Sequence, residues 1–146
     1  MNKECLNEKE MEMVINLFKA HCELNNERIQ TEQLNISCIP PNFPPVMQQF
    51  YAKFAPVSIK VDKLNVQFYP YQTVFDYASR KSSDLRFIPI AFYNNDMSRT
   101  AYIDKCEDGS WNLRVQLPIG DGKVRILGAD IFDYLIKLCK RMNYTL

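Results

Sequence analysis

The sequence predicts an α+β fold: a mainly antiparallel sheet with a central meander, helices packed around it, and a closing C-terminal helix. Three observations carry this. FIPIAFY (87–93) is a nearly unbroken apolar run of strand length, as found at a sheet centre or in a strand covered on both faces. Trp111, Leu113, Val115 and Leu117 alternate with Asn112, Arg114 and Gln116, the clearest period of two in the chain. Ile131, Tyr134, Leu135, Leu138, Cys139 and Met142 fall on one helical face.

The remaining elements follow in order. Asn7 and Glu10 have the three-residue offset of a capping box, and Met11, Val14, Phe18 and Cys22 recur at helical spacing, so a first helix is expected over roughly 8–24. Residues 25–38 are polar with weak periodicity and read as a loop or a short irregular piece. In IPPNFPPVMQQFYAKF, four prolines forbid a helix through 40–45, but Pro44 and Pro45 suit a first helical turn, where a missing N–H costs nothing. Met47, Phe50, Tyr51 and Phe54 mark one face of that helix, and Pro56 ends it. Leu64, Val66 and Phe68 alternate with polar residues as a strand does. Pro70 opens a further helix with Tyr71, Val74, Phe75 and Ala78 on one stripe, fading into the solvated turn RKSSD.

In FIPIAFY, simple alternation puts Ile88, Ile90 and Phe92 on one face and Ala91 and Tyr93 on the other, with Asn94–Asp96 as the exit turn. Ala101 and Ile103 alternate with Tyr102 and Asp104, and Glu107–Ser110 is a strong turn signal before the strand at 111–117. Gly120–Gly122 is another turn, and Val124–Leu127 a short strand. Asp130 is placed to cap the last helix, whose Lys137, Lys140 and Arg141 complement its dipole.

A chain of 146 residues suits one domain, 1–146, large enough for an ordinary core. Net charge is +1, with −3 over residues 1–38 and +2 over each of 39–118 and 119–146. No concentrated basic stripe of the kind that neutralises many phosphates is present, so no nucleic-acid partner is expected. The five cysteines, at 5, 22, 38, 106 and 139, are odd in number and lack C-x-x-C spacing. That argues for free, mostly buried thiols rather than a zinc site. MNKECLNEKE is too polar for a signal peptide, and no apolar run approaches the ~20 residues of a membrane span. The expectation is a cytoplasmic protein with no membrane association.

Catalytic patterns are weak. His21 is the only histidine, and its neighbour Cys22 points about 100° away on a helix, so the two do not pair. Asp96, Asp104, Glu107 and Asp108 are close in sequence without EF-hand spacing, and turn aspartates commonly cap their own backbone. LPIGDGKV lacks the second glycine and the Ser or Thr of a phosphate loop and reads as a hairpin turn. Without interleaved basic residues, Phe68, Tyr69, Tyr71, Phe92, Tyr93 and Tyr102 are better read as packing than as base-stacking platforms. No cofactor, metal or catalytic residue is expected. What remains is a protein-binding surface, for which aromatic and arginine residues are favoured anchors. The candidate set is Tyr69, Tyr71, Tyr93, Asp96, Arg99, Tyr102, Asp104, Asp108 and Trp111.

The order of these motifs resembles the SUKH superfamily, typified by the yeast cell-wall-synthesis regulator. Ile39-Pro40 with Phe50-Tyr51 and Phe54 matches its early proline motif, and Ile88-Pro89-Ile90-Ala91 with Asp96 its central strand. Tyr102-Ile103-Asp104 matches its hairpin, and Ile131–Leu135 its closing helix. The resemblance covers roughly 39–142. The family's glycine-rich turn after the first motif is absent, Ala55–Ser58 standing in its place, and Asn94-Asn95 replaces the glycine before the acidic turn. The resemblance implies helices on a mainly antiparallel sheet and a non-enzymatic role: bacterial SUKH proteins are largely immunity proteins that bind and neutralise toxin domains of polymorphic toxin systems. Two other readings stand beside it: a regulatory or scaffolding interaction module, and a small enzyme with an acidic site around Asp96, Asp104 and Asp108.

Overall fold

The computed structural model describes residues 6–144 and shows among them four α-helices and seven strands. The helices are α1 (Glu8–Leu24), α2 (Pro45–Lys53), α3 (Tyr71–Lys81) and α4 (Ile131–Tyr144). The strands are β1 (Arg28–Glu32), β2 (Ala55–Val61), β3 (Val66–Phe68), β4 (Phe87–Tyr93), β5 (Asp96–Lys105), β6 (Trp111–Gly120) and β7 (Lys123–Gly128). All pair antiparallel in the order β1-β2-β3-β4-β5-β6-β7, so the sheet is a meander from end to end and the fold is α+β.

Local chemistry sets the helix limits. The Asn7 side chain accepts from the Glu10 N–H at 2.8 Å while Glu10 Oε1 accepts from the Asn7 N–H at 3.0 Å, a complete capping box at the head of α1. Pro45 is the first residue of α2 and Pro44 its cap. Asp130 Oδ1 accepts from the Asp133 N–H at 2.8 Å at the head of α4. The turn between β4 and β5 is two residues long, Asn94 and Asn95, with φ of 58° and 56°. Both central residues of this hairpin class need a left-handed conformation, which asparagine tolerates better than other side chains. Asp121 and Gly122, at φ 57° and 71°, form the equivalent turn between β6 and β7.

One core joins the inner face of the sheet to all four helices. Its centre is aromatic. Phe18 of α1 meets Phe54 at 5.9 Å edge-on, Phe50 of α2 meets Phe132 of α4 at 6.0 Å, and Phe68 of β3 lies 6.0 Å from Tyr134. α1 packs mainly on α4, which also rests on α2 and on β7.

Four expectations need correction. Residues 25–38 are not a plain loop: β1 occupies 28–32 and a 3-10 turn spans 36–38. RIQTE is a charged edge strand, and such strands lack the apolar alternation that reveals inner ones. β2 occupies 55–61, where the sequence offers no strand signal: Pro56 breaks the alternation, although proline is tolerated near a strand start. The strand anticipated at 64–68 begins only at Val66, because Asn65 adopts a left-handed conformation after a 3-10 turn at 62–64. Finally, the register of β4 on β5 shifts between Pro89 and Ala91. This bulge inserts one residue and re-phases the strand. Ile88, Ile90, Ala91 and Tyr93 therefore all belong to the core, and Phe92, like Phe87 and Pro89, turns to the opposite face.

Candidate partner-binding face

Among the described residues, all four helices lie on one side of the sheet, and the opposite side has no helix over it. Cross-strand register identifies what this open face displays. Pro89 of β4 lies opposite Tyr102 of β5, then Gln116 of β6, then Ile126 of β7. Phe87 lies opposite Asp104, which lies opposite Asn112. Gln67, Phe92 and Thr100 form a third row.

The aromatic residues on this face make two groups. Phe87 and Tyr102 meet with ring centroids 5.3 Å apart, and Phe87 remains 44% exposed. Tyr69 lies across Phe92 at 5.0 Å and buries it, and its hydroxyl donates to Thr100 Oγ1 at 2.5 Å, Thr100 itself donating to the Met97 carbonyl at 2.6 Å. Asp104 accepts from Gln116 Nε2 at 2.9 Å, so this buried amide is satisfied. Val124 and Ile126 extend the apolar strip to the sheet edge at 40% and 48% exposure. An aromatic and aliphatic strip with fixed polar groups among it, left open to solvent, is the composition of a protein-contact surface.

The candidate residues divide accordingly. Tyr69, Tyr102 and Asp104 share the open face. Arg99 is exposed on β5. Asp96 begins β5 and its Oδ1 accepts from the Ser98 N–H and hydroxyl at 2.9 and 2.7 Å. Those bonds hold its carboxyl below the ordinary value. Asp108, in the next turn, does the same with Ser110 at 2.9 and 2.6 Å and is lowered for the same reason. Asp96 and Asp104 are eight residues apart on one strand, roughly 26 Å at the usual rise, and Asp108 lies beyond the far end. The three carboxylates do not converge on a single site. Trp111 packs against the core and takes Lys105 Nζ over its ring at 5.2 Å. Tyr71 lies against Phe75 at the head of α3 and donates to Glu32 at 2.7 Å. Tyr93 is not displayed on the open face: the re-phased strand buries it to 7% exposure on the helix side, where its hydroxyl meets that of Tyr134 at 2.6 Å. Phe87, Gln116, Val124 and Ile126 belong to the open face without having been singled out. Their signal was the phase of the alternation, which the bulges scrambled.

Cys22 and Cys139 are buried free thiols, Cys38 and Cys106 exposed ones, so burial holds for half of those described, and Cys5 lies outside the described residues. Among the described residues no group of three or more His, Cys, Asp or Glu could hold a metal ion, and no helix is long and apolar enough to cross a membrane. In comparisons with known proteins, the chain matches no family model, no curated protein and no solved structure.

Proposed function

We propose that this chain is a non-enzymatic binding protein of SUKH-like type, an immunity protein that neutralises a toxin domain of a polymorphic toxin system by direct contact in the cytoplasm. The observation that carries the reading is the open sheet face, where Phe87, Tyr102, Val124 and Ile126 expose an apolar strip on a rigid meander. Support also comes from the motif order that resembles the family. Large aromatic side chains held on a rigid sheet lose little conformational freedom on binding, which suits tight complexes.

The test is co-expression with the toxin domain encoded beside it. The wild-type chain is expected to restore growth and to co-purify with the toxin. Phe87→Glu combined with Tyr102→Glu should abolish both while leaving the circular dichroism spectrum unchanged, with binding weakened at least about a hundredfold, roughly 2.7 kcal/mol. Absence of a toxin gene beside it, or full protection by the double variant, removes the basis for this reading.

A further inference from the structure

At the sheet edge remote from the N-terminal strand, β7 pairs, among the described residues, with β6 alone. A groove of about 470 Å³ runs between β7 and α4. Four cationic side chains line it, Arg125 from the strand and Lys137, Lys140 and Arg141 from the helix, and among the described residues no carboxylate does. Tyr93 and Tyr134, whose hydroxyls are paired, line it too, with Leu138. Lys137 is engaged by Asp133 at 2.6 Å, and Asp133 is otherwise held by the Ala129 N–H at 2.7 Å. Arg125, Lys140 and Arg141 make no ion pair among the described residues. The helix dipole accounts for cations late in α4 but not for Arg125, which reaches the same space from another element.

The two sides of β7 differ. Arg125 lies opposite the core residue Leu117 and faces the helix side, whereas Val124 and Ile126 lie opposite Pro118 and Gln116 on the open side and are exposed, Ile126 also reaching the rim of the groove. A strand edge without a partner is a template for another extended chain, and alternate side chains of that chain go to opposite faces. The residue chemistry that fits is then determined: acidic on the side of Arg125, Lys140 and Arg141, aliphatic on the side of Val124 and Ile126.

We propose that the β7–α4 groove binds an extended segment of a partner protein in which acidic and aliphatic residues alternate, the segment adding to β7 as an eighth strand. This holds whether or not the partner is a toxin, and it concerns the sheet edge rather than the Phe87–Tyr102 patch.

The probe is a fluorescein-labelled nine-residue peptide of alternating Glu and Val, read by fluorescence anisotropy against the full chain. Binding is expected, and it should weaken as salt rises from about 0.05 to 0.5 M, because charge pairs at a rim are screened. Arg125→Glu combined with Lys140→Glu should weaken it at least about tenfold. Arg114→Glu, at an exposed position of β6 outside the groove, should not. Hydrogen exchange should slow at β7 amides when the peptide is present. Unaltered affinity in the double variant, no protection of β7, or equal affinity for a Gln–Val peptide each overturns the proposal. So does tighter binding of a single-stranded oligonucleotide of equal charge, since the groove would then read phosphate. Toxin protection is scored separately by growth, so a peptide that fails to bind leaves the proposed function standing.

Discussion

Tyr93 and Tyr134 share a hydrogen bond of 2.6 Å where both rings are buried. Burial raises both hydroxyls above their ordinary value, and for Tyr134 the neighbouring Tyr93 adds to the effect, while Arg141 lowers both in part. Each hydroxyl is the partner the other needs. Tyr134→Phe should therefore cost about 1–3 kcal/mol, the penalty of leaving a buried hydroxyl unsatisfied, seen as a lower urea midpoint. Tyr93→Phe with Tyr134→Phe should cost less than the sum of the single changes, because no orphan remains. The sequence placed Tyr93 among surface anchors, since a tyrosine at a strand end before two asparagines reads as rim. Only the extra residue at 89–91, invisible to alternation, turns it inward. Asp133 is legible as an early acidic residue of α4 and, four residues before Lys137, as its helical neighbour, but its burial and its bond from the Ala129 N–H are not. Burial alone would raise its carboxyl, and the Lys137 ammonium with the Ala129 N–H outweighs this and holds it low.

Elements with strong periodicity were readable from the order of residues alone. α1 begins and ends at 8 and 24 as its capping box and stripe indicate, and α4 follows its five-offset pattern. β1 and β2 were not readable: one is a polar edge, the other starts at a proline, and their pairing is a property of the sheet rather than of either segment. The open face was half legible for a related reason. Tyr102 and Asp104 announce it, but Phe87 and Ile126 join it only through cross-strand register. The junction of β7 with α4 hangs on a glycine. A Cβ at Gly128 would come within 2.7 Å of the Tyr134 backbone N and 2.8 Å of its Cα, and neither can move without the helix. Gly128→Ala should destabilise the protein by about 1–3 kcal/mol through overpacking, and in a thermal melt should lower the midpoint by a few degrees, roughly 2–8 °C per kcal/mol for domains near this size.

At the scale of the molecule, the core retains protons that an unfolded chain gives up. Burial, with Cys139 beside it, pushes the Cys22 thiol up to about 12 from 9.0, and burial brings Cys139 to about 11. Burial likewise lifts Tyr51, Tyr93 and Tyr134 above 10.0. A raised folded value means that the unfolded state deprotonates first. The stability is full below pH 9 and is lost as pH rises from 9 through 11 to 12, by about 1.4 kcal/mol per group and pH unit. Urea midpoints measured at pH 7, 9 and 10.5 should be nearly equal for the first two and distinctly lower for the third; a flat profile would contradict this burial. The sheet and the helices also differ in when they can be completed. Every strand of the meander pairs with the one made just before it, so the sheet can grow in step with synthesis. α1 cannot be finished that way: its principal partner, α4, is the last element to be made. Until then Met11, Ile15 and Cys22 wait with part of their apolar stripe uncovered, and a nascent chain stalled before residue 131 should offer chaperones that stripe rather than the sheet.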